Sequence, residues 1–236
     1  MLKETFYLDG VDALSVGIKL QSPIEFSEAR PVVNKQSVAG RNGDLIFDEG
    51  NFQNRTGKAK CYCLQNDVEK AISSAGRFLM GKRGYRRLET SDDPDHYWMA
   101  RVENSPKIEM RVRTIAPFEI GFDCKPQRFL KSGENPIIFA GNSVLRNSYS
   151  QIALPLIKLY GSGSGWLTIG STTITIKKID GVLFLDSETQ NAYNTNGNQN
   201  SNIVAPTFPV LSDGENVIGF GGGIESVEIT PRWWEV

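Results

Sequence analysis

Alternation of apolar and polar positions recurs along this chain, and it marks strands more often than helices. Leu14, Val16, Ile18 and Leu20 alternate with Ser15, Gly17 and Lys19, which predicts a half-buried strand. Residues 21–40 have no clear period and hold two prolines, so they read as a long arm or loop. The run Gly40-Arg41-Asn42-Gly43-Asp44-Leu45 follows. Its Asn-Gly pair signals a tight turn into Leu45-Ile46-Phe47. Residues 58–64 predict another strand. One helix stands out: Val68, Ala71, Ile72, Ala75 and Leu79 recur at helical spacing, with Asn66 placed to cap and Glu69 three residues on as the capping-box carboxylate. Gly76 weakens this helix and Gly81 ends it. Beyond it, Ile108, Met110 and Val112 face one way while Glu109, Arg111 and Arg113 face the other. Phe118, Ile120 and Phe122 repeat the alternation, and Lys125-Pro126 is expected to break that strand.

The second half of the chain predicts strands only. Candidates are 154–160, 166–169, 172–177, 182–186, 216–220 and 226–230. Turn signals fall between them at Gly161-Ser162-Gly163, Gly170-Ser171, Asp180-Gly181, Asp213-Gly214 and Gly221-Gly222-Gly223. Short strands at such spacing predict a sandwich or barrel. The asparagine-rich stretch 191–202 reads as one exposed loop. A polar, Gly/Pro-punctuated segment after Arg128 places a domain boundary near residues 125–145, giving domains of 1–130 and 131–236. The fold class expected is mainly β, with one principal helix in an α+β first domain.

A length of 236 residues allows one large domain or two small ones. Hydrophobic residues at 39% and charged residues at 22% are globular values, against a disordered chain or a coiled coil. Lys and Arg total 26 against 27 Asp and Glu, a net charge of −1, which gives no general grip on phosphates and argues against a dedicated nucleic-acid binder. Acidic residues at positions 4 and 9 interrupt any secretory apolar core, and no run reads as a membrane span. With Cys61, Cys63 and Cys124 an odd set, the expectation is free thiols in a chain made in a reducing cytosol.

The search for chemistry returns little. A metal site at Cys61 and Cys63 lacks further ligands, since His96 is the one histidine. His96 sits in Asp92-Asp93-Pro94-Asp95-His96-Tyr97-Trp98, either a carboxylate–histidine site or a solvated turn entering a strand; Asp and Pro as turn formers favour the turn. The glycine runs at 161–165 and 219–223 lack the helix N-terminus a phosphate loop needs, so hairpin turns account for them better. Arg77, Lys82, Arg83, Arg86 and Arg87 form a basic run that either contacts nucleic acid or ends the helix and is neutralised by Glu89, Asp92, Asp93 and Asp95; the second reading is preferred, with subunit pairing as another possibility. Trp98, Trp166, Trp233 and Trp234 read as core or interface packing before sugar platforms. No catalytic, cofactor-binding or metal-binding residue is assigned.

The order of several segments is informative. Gly40-Arg41-Asn42-Gly43-Asp44-Leu45 comes early, then Leu88-Glu89-Thr90-Ser91-Asp92-Asp93-Pro94-Asp95-His96-Tyr97-Trp98, then Phe122-Asp123-Cys124-Lys125-Pro126. Pro155-Leu156-Ile157-Lys158-Leu159-Tyr160-Gly161, Ile179-Asp180-Gly181, Leu185-Asp186-Ser187-Glu188 and Phe208-Pro209-Val210-Leu211 follow, and Pro231-Arg232-Trp233-Trp234-Glu235 comes last. This succession resembles the distal tail protein family of siphophages. The early turn often has Asp where Asn42 stands, and both suit a tight turn.

The resemblance implies a non-enzymatic, cofactor-free virion protein at the distal tail tip, made in the cytoplasm of a host bacterium. It implies a first domain that builds a belt-like ring, commonly a hexamer, around the channel for exiting DNA. It implies a second domain that is a galectin-like β-sandwich. Implied partners are further copies of the chain, the major tail-tube protein, a tail-associated lysin or tail-fibre hub, and receptor-binding or baseplate proteins, with DNA only in transit and no membrane. The arm at 21–40 would clasp a neighbouring subunit, or be a surface loop. The alternatives from other classes are a carbohydrate-binding or adhesion module using Trp166 or Trp233, and a cell-wall hydrolase.

Overall fold

Antiparallel pairing builds nearly all the regular structure, as the alternation predicts. The computed structural model describes residues 4–64, 68–103 and 115–236. The expected cap at Asn66, the Glu69 side chain and the alternation over 108–113 lie outside the described residues. Two compact units emerge, one reaching to Arg128 and including Val236, the other Phe129–Glu235.

In chain order the first unit contains β1 (Phe6–Leu8), β2 (Ile18–Leu20), β3 (Pro31–Gln36), β4 (Leu45–Phe52), β5 (Arg55–Leu64), α1 (Val68–Met80), β6 (Arg86–Thr90), β7 (His96–Val102) and β8 (Ile115–Leu130). The last two residues of β8 already belong to the second unit. The main sheet runs β1-β6-β7-β8-β5-β2. Period-two alternation turns Phe118, Ile120 and Phe122 of β8 inward, with Phe118 opposite Cys61 and Ile120 opposite Ala59 of β5. Helix α1 buries Ala71, Ala75 and Leu79, spaced four apart on one stripe, in the same core. Burying a side chain such as Leu79 contributes about 2 kcal/mol. The helix stops where expected: the Gly81 N–H bonds the Arg77 carbonyl at 2.8 Å.

Three expectations change here. The strand expected over 14–20 begins only at Ile18, because Ala13–Val16 form a 3-10 turn. Asp12 fixes that turn by accepting the Leu14 N–H at 2.9 Å, and Gly17 ends it at φ 84°. The strand expected to break at Lys125-Pro126 continues to Leu130. Pairing of β8 with β5 ends at Cys124, so the N–H that Pro126 lacks costs no bond to that neighbour. The arm, expected without period, is not a loop throughout. Glu25–Phe26 pairs with β5, and Pro31–Gln36 is a strand in its own right.

In the second unit six expected strands are parts of three long ones: β9 (Leu156–Ile169), β10 (Thr172–Asp186) and β11 (Gly214–Thr230). The sheet order is Ile137–Phe139, β11, β9, β10, Asn191–Asn194, Gly197–Asn198. The glycine runs read as turns are irregularities inside continuous strands, with register shifts at Tyr160/Gly161 and between Gly161 and Gly165. A Cβ at Gly161 would stand 2.0 Å from the Gly223 carbonyl oxygen, and one at Gly223 would stand 1.8 Å from that of Ser162. Only glycine lets these backbones approach so closely. Both halves of each strand serve one core: Ile157, Leu159 and Val227 on one side of the glycines, Leu167, Ile174 and Ile218 on the other. Stretch 191–202 is not one loop. It forms the hairpin Asn191–Asn194/Gly197–Asn198 and a 3-10 turn at Asn200–Asn202. Its amides bond one another, Asn198 and Asn200 both donating to Asn191 Oδ1 at 3.0 and 2.9 Å.

Candidate functional site

Strands β3 and β4 form a two-stranded sheet of their own, paired through Asn34–Phe47, Lys35–Ile46 and Gln36–Leu45. The tip holds Gly40 and Gly43, both at φ 80°, as the Asn-Gly signal requires. At the base, the Gln53 N–H bonds the Arg30 carbonyl at 2.8 Å. Between tip and base almost every position is exposed on both faces. Ile46 is 64% exposed and Phe47 54%, and Val33 and Val38 are exposed too. A hairpin without a third strand or a covering layer is marginal in water, so this ribbon presents apolar side chains and free strand edges outward.

The charged clusters have structural partners. In the basic run, Arg86 is buried, donating from Nε to Asp9 at 3.1 Å and from Nη1 to the Phe78 carbonyl at 2.7 Å. Lys82 joins Asp9 at 3.0 Å, and Arg87 bonds Glu89 at 2.7 Å while lying over the Tyr97 ring. The run is thus a helix end neutralised by Glu89, as preferred, and by Asp9, which the sequence reading does not single out. The turn reading holds: residues 91–95 form a turn, with Asp92, Pro94 and Asp95 exposed, that enters β7 at His96. Within it the His96 Nδ1 lies 2.7 Å from Asp93, whose other oxygen accepts from Arg128 Nη2 at 2.6 Å. Burial pushes the Asp93 carboxyl up, but the hydrogen bonds from His96 and Arg128 outweigh it and hold it below its ordinary range. Both oxygens are engaged, so this group clamps β8 to the turn.

All three cysteines are buried, and burial pushes the Cys61 and Cys124 thiols up to about 12, far from thiolate. Among the described residues no three His, Cys, Asp or Glu side chains converge as metal ligands, and no helix is long and apolar enough to cross a membrane. A cleft of about 180 Å³ lies between β10 and the asparagine hairpin, but Asn194, Gln199 and Asn202 on its wall bond one another. Trp98 and Trp233 are buried, Trp98 stacking on Phe26 at 4.3 Å. Trp234 donates to the Ile152 carbonyl at 2.9 Å, and Trp166 is exposed.

Among the described residues the arm is a two-stranded sheet that stands without a covering layer, and it lies inside a stretch with known relatives. Residues 11–124 match the phage tail protein RIFT-related domain. This stretch is similar to a phage tail domain. It spans the arm, the helix and most of the first sheet. No curated protein matches the sequence significantly. Among solved structures, the fold matches SPP1 Dit (gp 19.1), described as a paradigm of the hub adsorption apparatus in phages infecting Gram-positive hosts. The TM-score is 0.76 at 13% identity, over 96% of this chain and 97% of that one. At that identity the likeness shows the fold. Domain and fold together bear out the resemblance to siphophage distal tail proteins and the mainly β class.

Sequence reasoning placed an arm at 21–40 and a turn after it, but not a hairpin that includes Phe52. The missed signal is the absence of period itself: with both faces exposed, Pro31–Gln36 has no inward side to mark.

Proposed function

We propose that this chain is a structural hub at the distal end of a siphophage tail. Copies of it close into a ring, six being the number the family resemblance implies, and the arm of each clasps the next. Head-to-tail contacts of this kind close into a ring when their rotation divides the circle. The ring continues the tail tube and leaves a channel through which DNA exits. A net charge of −1 suits a lumen that must not hold phosphate. The second domain, 131–236 in this reading, is a galectin-like module turned toward receptor-binding or baseplate proteins, while the tail-tube protein and a tail-associated lysin or fibre hub lie along the axis. The role is non-enzymatic and the location is the virion.

The observation that carries this reading is the exposed, self-contained hairpin inside a stretch similar to a phage tail domain. Light scattering across a concentration series, with negative-stain images, tests it. A hexamer has six times the 26.2 kDa chain mass, about 157 kDa, and shows an axial hole. A species that stays at one chain mass, alone and with the tail-tube protein added, overturns it.

A further inference from the structure

Trp166 occupies an unusual seat on the second unit. Along β9, Trp166 and Thr168 alternate with the buried Leu167 and Ile169, so they face outward. Directly across β10 stand Thr175 and Thr173, and across β11 stand Gly221 and Gly219. The indole leans over those two glycines. A Cβ at Gly221 would lie 3.0 Å from Trp166 Nε1, and one at Gly219 would lie 3.3 Å from Cζ3. Glycines two apart on one strand face thus touch opposite ends of the same ring. The indole therefore lies flat along β11, one face on the backbone, the other open to solvent, and the residue is 42% exposed.

Uncharged polar groups sit beside this ring. Thr168 and Thr173 share one hydrogen bond at 2.8 Å, which leaves a second hydroxyl hydrogen and lone pairs for a ligand. Asn142 Oδ1 lies 3.6 Å from the Gly219 Cβ position, at the edge of the indole, and accepts the Phe220 N–H at 3.3 Å. That bond orients the exposed amide so that Nδ2 is left as a donor.

From this arrangement we propose that the Trp166 face is a binding site for a neutral hexopyranose ring of a glycan. The electron-rich face of an indole attracts the polarised C–H groups on one side of a sugar ring. The hydroxyls and amide at its edge match the sugar's own hydroxyls. An ionic ligand would find no counter-charge among Trp166, Thr168, Thr173, Thr175 and Asn142. Gly219 and Gly221 are then positioning residues, kept small so that the ring lies flat. The site stands on the second unit alone and is independent of ring assembly.

Saturation-transfer NMR and calorimetry on the whole chain test it, using the methyl glycosides of galactose, glucose, N-acetylglucosamine and rhamnose at millimolar concentration. At least one glycoside should bind saturably. Trp166→Ala should weaken it by about tenfold or more, Trp166→Phe should fall between, and Gly221→Ala should weaken it by lifting the ring. A near-UV spectrum checks that each variant is folded. Silence from all four glycosides, or equal binding by a folded Trp166→Ala, overturns the proposal and leaves the face to another tail protein.

Discussion

Two glycine-marked antiparallel ribbons in this chain meet opposite fates. In the second unit β9, β10 and β11 bend at their glycines and turn both halves toward one core. In the first unit β3 and β4 pair with each other and with no other strand, and their apolar residues stay in solvent. The first ribbon system is complete within one chain. The second is complete only if something covers it, because a lone hairpin offers too little buried area to offset its ordering entropy. The comparison separates residues that hold the subunit together from residues that the proposed ring contact would cover.

The sharpest way to break the comparison is at the bend. Gly223→Ala places a methyl group where 1.8 Å separates it from a backbone oxygen, which no rotamer relieves. It should cost more than about 4 kcal/mol, read in urea denaturation. Leu167→Ala removes a fully buried side chain from the shared core and should cost about 2–5 kcal/mol by the same measurement. An equal loss of apolar surface on the arm should cost the subunit almost nothing: Phe47→Asp should change subunit stability by no more than about 0.5 kcal/mol, yet reduce the scattering mass to that of a single chain.

Acid sharpens the contrast further. Lys158 and Tyr160 hold the Glu228 carboxyl below its ordinary range, bonding it at 2.5 and 2.9 Å, against the upward push of burial. Burial pushes Asp186 up, but Arg232, donating at 2.7 Å, outweighs it and the net shift is downward. A carboxyl lowered by folding binds protons more weakly folded than unfolded. Its stabilisation is therefore present above the ordinary carboxylate range and is lost as pH falls from that range through the lowered value of the folded protein. Thermal unfolding of the second unit should be flat near neutrality and drop below about pH 4. Asp186→Asn and Glu228→Gln should flatten that drop.

Much of the fold was legible where one face is buried. The stripe Ala71, Ala75, Leu79 and the alternation Phe118, Ile120, Phe122 marked their elements because burial imposes a period. What escaped was of two kinds. Glycine in a tight turn and glycine in a bent strand satisfy the same conformational need, so Gly163 and Gly181, both at positive φ, read as turns that separate strands. The partners of charged groups were invisible because they are remote along the chain: Arg86 finds Asp9, and Arg128 finds Asp93. The arm escaped for the reverse reason, since a ribbon exposed on both faces carries no pattern at all.

The central claim is that the hairpin of β3 and β4 is finished by another copy of the chain. Amide hydrogen exchange over residues 31–52, compared between dilute single chains and the assembled ring, tests it most directly. The account predicts fast exchange in the single chain and strong protection in the ring, with the strands of the second unit protected equally in both. Equal protection of the arm in both states, or an arm that still exchanges freely in the ring, would contradict it.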